Sequence, residues 1–282
     1  MDFDDLDPAL ILRNNTPQED FCGLTPAEIH HLLYHGWTER SPIRLHRDIT
    51  DETLNQVPFF LLAEECIRLI SINQPVKLTN LGYLPVKTVQ ELYNQRQITH
   101  WYVDLRQPKI LREQDVPVIV TVHSMLKIAG LVKNIKNRLS LTKKGEQLLL
   151  PGSRATFFRE LLMAFTQKWG WGNLDRYDEA YEIQRLWGFS IHLLMQFGHS
   201  PQEGAFYARK FLVAFPLITE EFQPGPYLNT IQEFEGCFCL RTIAHFFAWW
   251  GFISMNEKKL PPNRKNQLIT ATPVVSKIFT FE

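Results

Sequence analysis

Five cationic residues follow one another closely between positions 133 and 144, and no acidic residue lies among them. They are Lys133, Lys136, Arg138, Lys143 and Lys144. Side chains of this kind neutralise the phosphates of a nucleic-acid backbone, and binding through them weakens as salt rises. The alternative is a solvated turn whose charges keep a two-stranded sheet edge from aggregating. The sequence leaves both interpretations open.

A helix, a hairpin and a second helix would position these cations. The first helix is predicted over residues 117–130, with Pro117 in its first turn. A polar hairpin over 131–141 and a helix over 142–149 follow it. The β-branched run at 118–122 leaves a strand open for the first half of the first helix.

A further set of hydrogen-bond donors is predicted upstream of this helix. Residues 79–95 have the spacing of a helix-turn-helix, in which Lys87 and Gln90 face outward like the donors of a recognition helix. Residues 97–116 are predicted to be irregular. Two elements are predicted before them: a helix over 52–72, continuous or divided at Pro58, and a short strand over 76–79.

The formal net charge of zero hides an uneven distribution along the chain. Residues 1–67 hold 4 Lys/Arg and 13 Asp/Glu, residues 68–144 hold 13 and 4, and residues 145–282 hold 13 of each. The basic block contains the hairpin cations and Lys127, which completes the predicted nucleic-acid-binding set. Such a block attracts phosphate backbones, but it can equally dock on the acidic third of the same chain.

The order of elements around the hairpin recurs near the C-terminus. Ala129-Gly-Leu-Val is matched by Trp250-Gly-Phe-Ile, and Leu139-Ser-Leu-Thr by Leu268-Ile-Thr-Ala-Thr, with a polar stretch inside each pair. This repeat predicts two units of similar build, and Pro151-Gly152 is the predicted boundary. Three parts follow: an acidic N-terminal arm with a short helix (1–50), a basic domain (51–150) and a helical domain that ends in the second unit (151–282).

The succession of helix, basic hairpin and helix resembles a winged-helix domain, most closely over residues 123–149. Together with the repeat and the predicted elements, it leads us to expect a mainly α fold with short β-hairpins, built as two tandem winged-helix-like modules. A winged-helix regulator has its recognition helix directly before the wing. Here residues 97–116 separate the helix-turn-helix spacing from the helix before the hairpin. This departure speaks against standard docking in a major groove.

Segments spread over most of the chain carry a second resemblance. They are Leu24-Thr-Pro-Ala-Glu-Ile, Val57-Pro-Phe-Phe, Pro75-Val-Lys-Leu-Thr-Asn-Leu-Gly-Tyr-Leu-Pro85, Gly130-Leu-Val with Leu139-Ser-Leu-Thr-Lys-Lys-Gly145, and Ala271-Thr-Pro. The set is similar to a family of uncharacterised bacterial proteins. That resemblance implies no activity and carries over no catalytic residue.

Two clusters have residue types that bind metals, yet neither predicts a site. His30, His31 and His35 share one short predicted helix, but Leu32 follows His31 where a metalloprotease helix needs a Glu. Cys237 and Cys239 would point about 200° apart on a helix and cannot hold one ion together. We therefore expect no metal, cofactor or catalytic residue.

A third cluster is aromatic and lies in the loops and helices after the predicted boundary. Its members are Trp169, Trp171, Tyr177, Tyr181 and Trp187. Rings gathered in this way can line a pocket for bases, peptides or another flat ligand. The alternative is that they seal a hydrophobic core, and the sequence does not decide between the two.

The composition is that of an ordinary globular protein, with 45% hydrophobic and 21% charged residues. The longest strongly apolar stretch, Ile243 to Met255, is too short to span a bilayer, and the acidic first residues are unlike a secretory signal. We expect a cytoplasmic, non-enzymatic bacterial protein that binds DNA or RNA through residues 85–144, or regulates a protein that does. One alternative is an interaction module that holds a protein partner or a second copy, and another is a ligand sensor or enzyme using the aromatic segment 169–189.

Overall fold

The computed structural model describes residues 8–175, 177, 178, 180–255 and 265–282. Within these ranges the protein is mainly α-helical and has small antiparallel sheets. The start of the predicted acidic arm and the tip of the second predicted hairpin lie outside the described residues. No helix in the described ranges is long and apolar enough to cross a bilayer.

The N-terminal segment consists of short elements joined by turns. Thr25 caps the second of its helices, because its hydroxyl accepts from the Glu28 amide at 3.1 Å while the Glu28 carboxylate accepts from the Thr25 amide at 2.7 Å. The elements are α1 (Pro8–Asn14), α2 (Pro26–His35), β1 (Ile43–Leu45) and α3 (Asp51–Leu54).

The first unit folds helices around a three-stranded sheet. Its elements are α4 (Pro58–Asn73), β2 (Val76–Lys77), α5 (Val86–Asn94), α6 (Trp101–Arg106), α7 (Pro117–Ile128), β3 (Val132–Ile135), β4 (Arg138–Leu141) and α8 (Lys143–Leu148). The sheet order is β2-β4-β3, so the strand that follows α4 pairs with the second strand of the hairpin. The predicted helix is divided at Pro58, since α3 ends before this residue and α4 begins at it.

The second unit follows two connecting helices, α9 (Arg154–Gln167) and α10 (Glu182–Arg185). A 3-10 turn lies at Trp171–Leu174 between them, and another at Pro216–Glu221. The unit contains α11 (Trp187–Phe197), β5 (Gln202–Glu203), α12 (Gly204–Ala214), α13 (Thr230–Phe238) with a π-helical continuation (Cys239–Ala248), β6 (Ile253–Met255), β7 (Leu268–Ala271), α14 (Pro273–Ile278) and β8 (Phe279–Phe281). Its sheet order is β5-β7-β6, and β8 pairs separately with β1.

The two sheets share one strand order, and their strands pair in the same register. In each, the first residue of the short strand faces the second residue of the hairpin's return strand: Val76 faces Leu139, and Gln202 faces Ile269. The first residue of the outgoing hairpin strand faces the last residue of the return strand: Val132 faces Leu141, and Ile253 faces Ala271. The predicted repeat is therefore a repeat of backbone pairing.

The junctions before and after each hairpin also correspond. Gly130 and Gly251 end the preceding helix with φ of +71° and +72°, a conformation that suits glycine. The hydroxyls of Thr142 and Thr272 each donate to the carbonyl of that glycine at 2.6 Å. The same residue types therefore close the hairpin in both units.

The core is continuous across the predicted boundary at Gly152. Buried side chains from both units form one hydrophobic cluster. Phe59 of α4 stacks on Trp250 with ring centroids 4.9 Å apart, and its amide donates to the Trp249 carbonyl at 2.9 Å. The division into three domains stays a prediction, and the two halves share their interior.

Two expectations about local structure are wrong. Residues 97–116 are not irregular throughout, because they contain α6 and a 3-10 turn at Glu113–Asp115. Only the second helix of the predicted helix-turn-helix over 79–95 is present, as α5. The strand alternative for 118–122 is also excluded, since these residues lie within α7.

Candidate nucleic-acid interface

The hairpin of the first unit turns through two residues, Lys136 and Asn137. Both have positive φ, +51° and +57°, which matches the twist of a two-residue hairpin turn. Asn adopts this conformation readily, whereas for a lysine it costs about 1–2 kcal/mol. The turn places Lys136 at the tip of the hairpin, where it is exposed.

The strands divide their side chains between a buried and an exposed face. Leu139 and Leu141 of β4, together with Val132 and Val76 on the neighbouring strands, are buried in the core. The alternating residues therefore face outward. Among them are Lys77 on β2, Lys133 on β3 and Arg138 on β4, all exposed. We call these three residues and Lys136 the cationic sheet face.

The charges of the cationic sheet face have no anionic counterpart in the described ranges. None of the four side chains forms an ion pair there. Lys77 lies directly opposite Arg138 across the β2–β4 pair, and like charges at opposed positions destabilise a sheet. An anion bound between the strands would remove that repulsion.

Two further predicted cations sit at the start of α8 and act differently. Lys143 is exposed. Lys144 donates to the Ala129 carbonyl at 3.2 Å and pairs with Glu160 of α9 at 2.8 Å. Lys144 therefore ties α8 to α9, and its charge is compensated. Lys127 is exposed in the last turn of α7, where a cation is favoured by the helix dipole.

Lys87 and Gln90 belong to α5, which packs against α4 and α7. Lys87 is 88% exposed and approaches Glu91 one turn later at 3.9 Å. Gln90 borders a cavity of about 630 Å³ between α5 and α6. The structure thus places these two residues on a helix rather than on the sheet that carries the hairpin cations.

Helix α7, which precedes the hairpin, is buried on nearly all sides. Its buried residues are Val118, Ile119, Thr121, Val122, His123, Met125 and Leu126. His123 Nδ1 lies 2.8 Å from Glu113 Oε1, and both side chains are 2% exposed. The other carboxylate oxygen of Glu113 accepts from the Leu84 amide. The segment before α7 is therefore fastened onto it, and α7 cannot enter a groove in this conformation.

The carboxylates of residues 8–67 neutralise little of the charge of the basic block. Its carboxylates reach that block through one ion pair among the described residues, Glu65 to Arg68 at 2.6 Å within α4. Asp51 and Glu64 pair instead with Arg154 at the start of α9, at 3.2 and 2.7 Å. The acidic residues before Pro8 lie outside the described residues.

Residues 55–155 match a family model, the Y4jL N-terminal domain. The matched range spans the first unit, from just before α4 to the start of α9, and includes the whole cationic sheet face. No curated protein and no solved structure matches the chain. The match links this part of the chain to an uncharacterised domain family and brings no activity with it.

The structure separates the residues of the predicted aromatic pocket. Trp169 and Trp187 border a cavity of about 590 Å³. Trp171 is instead buried in the core, where its indole N–H donates to the Phe165 carbonyl at 2.9 Å. The Tyr177 hydroxyl lies 2.8 Å from a carboxylate oxygen of Glu233. Of the five clustered aromatic residues, Trp171 and Tyr177 therefore serve the core and its polar contacts, and Tyr181 borders the cavity with the other two.

The three clustered histidines lie on one short helix, α2, as predicted. No group of described residues has the geometry to hold a metal ion. The rings of His30, His31 and His35 lie 5.5–6.1 Å apart. Burial, followed by the neighbouring His35, lowers the pKa of His31. All four cysteines are free and buried, and burial raises the pKa of the Cys66 thiol, which keeps it protonated.

Lys77 is the one member of the cationic sheet face that the sequence did not predict. It follows Val76 in the predicted short strand, more than fifty positions before the hairpin cations. Only the pairing of β2 with β4 brings it beside Arg138. The alternation of Val76, Lys77 and Leu78, buried, exposed and buried, was the available indication.

Proposed function

We propose that the first unit is a winged-helix-like module that binds the phosphate backbone of DNA or RNA through the cationic sheet face. The observation that carries the proposal is the Lys77–Arg138 pair, two like charges held opposite each other without a carboxylate among the described residues. A phosphate group seated on the sheet would contact both side chains, and charge-assisted hydrogen bonds of this kind are stronger than neutral ones.

The order of elements supports the winged-helix assignment. In the first unit a helix, a short strand, further helices and a hairpin follow one another, and the short strand pairs with the return strand of the hairpin. The second unit has the same succession and the same pairing. The proposal therefore includes a tandem arrangement, with the cationic hairpin in the first module.

The proposed binding mode differs from that of winged-helix regulators that read bases. Those proteins insert a recognition helix into the major groove, whereas α7 is buried against its own fold. Contacts to phosphates position a protein without reading sequence. We therefore expect binding that depends strongly on salt and weakly on base sequence. The proposed role needs no catalytic step, and we place it in the bacterial cytoplasm.

Fluorescence anisotropy with a labelled duplex tests this proposal. The variant Lys77→Gln/Lys133→Gln/Arg138→Gln removes three outward-facing charges and leaves the buried face of the sheet intact. We expect its affinity for duplex DNA at about 50 mM salt to fall by on the order of 10³-fold, since three phosphate contacts are lost. Two duplexes of unrelated sequence should bind the wild type equally.

The matched control is Lys87→Gln/Gln90→Ala on α5, which should change the affinity less than threefold. Circular dichroism and the melting temperature of each variant check that the fold is retained. The proposal is wrong if the wild-type chain binds neither DNA nor RNA at low salt. It is also wrong if the α5 variant loses as much affinity as the sheet variant.

A protein partner is the second candidate function for the same unit. The supporting observation is a set of exposed apolar side chains on it: Leu105 at 69%, Ile110 at 56% and Ile135 at 59% exposure. Ile135 lies directly opposite Arg138. A light-scattering mass above that of the monomer, abolished by Ile135→Ser and unaffected by the charge variant, would favour self-association through this face over nucleic-acid binding.

A further inference from the structure

A cavity of about 590 Å³ lies between α2, the end of α9 and the α10–α11 region. Its volume falls in the range typical of small-molecule sites. The residues that matter for its chemistry are Tyr34, Lys168, Trp169, Tyr181, Arg185 and Trp187. It is thus bordered by four aromatic rings and two cationic side chains.

The charge of the side chains that line this cavity distinguishes it from a second, larger cavity. Its described lining includes Lys168 and Arg185 and no acidic residue. The lining of the other cavity, of about 700 Å³, balances Arg44, Arg47 and Arg159 with Glu39, Asp48 and Glu282. The aromatic cavity therefore suits an anionic ligand.

Two of the rings are unusually accessible. Tyr34 and Tyr181 are 61% and 64% exposed, so each offers a flat face that a second planar group could cover. The Arg185 guanidinium lies 5.7 Å from the centre of the Tyr34 ring and is also paired with Glu182. Lys168 is exposed and forms no ion pair within the described ranges. Lys168 is therefore the free charge of the cavity.

The inner wall is held by hydrogen bonds, so the cavity is formed in advance. The Gln184 amide group donates to the carbonyls of Thr166 and Trp169 at 3.1 and 2.6 Å, and its oxygen accepts from the Trp171 amide at 2.9 Å. Trp187 stacks on Trp37 with centroids 4.7 Å apart. Walls fixed in this way reduce the ordering cost of binding.

We propose that this cavity binds a nucleoside monophosphate, with the base stacked on the tyrosine rings and the phosphate beside Lys168. Stacking on aromatic side chains is tolerant of base identity, and a single phosphate matches a single free lysine. The site uses none of the residues of the cationic sheet face. This proposal can therefore be tested independently of the nucleic-acid proposal.

Isothermal titration with AMP, adenosine, inorganic phosphate and indole-3-acetate tests the assignment. AMP should bind, and adenosine and phosphate should each bind at least tenfold more weakly, because each lacks one half of the recognised group. Tyr181→Ala and Lys168→Ala should each weaken AMP binding at least tenfold. Tyr227→Ala, at a tyrosine that is 93% exposed and outside the cavity, and Lys109→Ala are the matched controls and should stay within twofold.

Three outcomes would overturn the proposal. The first is no binding of AMP to the wild type. The second is tighter binding of indole-3-acetate than of AMP, which would assign the site to aromatic carboxylates. The third is loss of AMP binding in the Lys77→Gln/Lys133→Gln/Arg138→Gln variant, which would place the nucleotide on the sheet face.

Discussion

The three-stranded sheets of the two units have the same register, but only the first carries cations on its outward-facing strand positions. Residues at corresponding positions pair with corresponding partners, yet the cations of the first sheet are absent from the described strands of the second. The corresponding pairs, first sheet before second, are Lys77–Arg138 and Glu203–Leu268, then Lys133–Ser140 and Ser254–Thr270.

The difference shows that the scaffold does not need outward-facing cations. The second sheet forms the same strand pairing and the same glycine and threonine junctions with neutral or acidic residues at these positions. The first sheet carries a repulsive Lys77–Arg138 pair that its fold gains nothing from. The binding role that we propose for the cationic sheet face would account for these charges.

The largest expected difference between the two units concerns their hairpin glycines. Both Gly130 and Gly251 have positive φ, so alanine is strained at either by about 1 kcal/mol. An added Cβ at Gly130 meets no atom within 4 Å, whereas at Gly251 it would lie 2.6 Å from the Gln56 carbonyl oxygen. We expect Gly251→Ala to cost about 3 kcal/mol of unfolding free energy and Gly130→Ala about 1 kcal/mol.

Urea denaturation of the two alanine variants measures this difference. The unit boundary is tested at the same time, because Gln56 lies just before α4 and Gly251 follows the π-helical segment. Equal losses of stability in the two variants would contradict the close approach between the units.

A smaller difference is expected at the threonines that close the hairpins. Thr142 donates to the Gly130 carbonyl and also caps α8 by accepting from the Gly145 amide at 3.1 Å. Thr272 donates to the Gly251 carbonyl, and its side chain makes no cap to α14. Thr142→Val should therefore cost about 1.5 kcal/mol and Thr272→Val about 1 kcal/mol.

The same denaturation experiment applies, with Thr230→Val at the partly buried start of α13 as a reference for the loss of a threonine outside the two junctions. A larger loss of stability for Thr272→Val than for Thr142→Val would contradict the prediction. It would mean that the two threonine–glycine hydrogen bonds contribute unequally. No change in either variant would remove the shared junction as a determinant of the repeat.

The repeat could be predicted because the residues that end and start its helices are recognisable from the local sequence. A glycine that ends a helix and a threonine that starts one are visible in single residues, and the hairpin between them follows. Helix α6 escaped prediction because Trp101–Arg106 is short and lies in a stretch with irregular spacing. The composition of α7 indicated that the helix would be buried, since Lys127 is the one Lys, Arg, Asp or Glu residue of Pro117–Ile128.

The cationic sheet face could be predicted only where its residues are neighbours in sequence. Lys133, Lys136 and Arg138 lie on one hairpin and were found from their spacing. Lys77 lies beside them because the two-residue strand β2 pairs with β4. Lys144 does not belong to this face, because it forms an ion pair with Glu160. Both depend on long-range contacts, which charge counting along the chain does not contain.

The salt dependence of DNA binding tests the central claim most directly. If the four side chains of the cationic sheet face each neutralise one phosphate, the logarithm of the binding constant should fall with the logarithm of salt concentration with a slope of about −3.6. Each single variant Lys77→Gln, Lys133→Gln and Arg138→Gln should reduce that slope by about 0.9, and Lys109→Gln should leave it unchanged. A slope near zero, or one that Lys109→Gln alters as much as the others, would contradict the account.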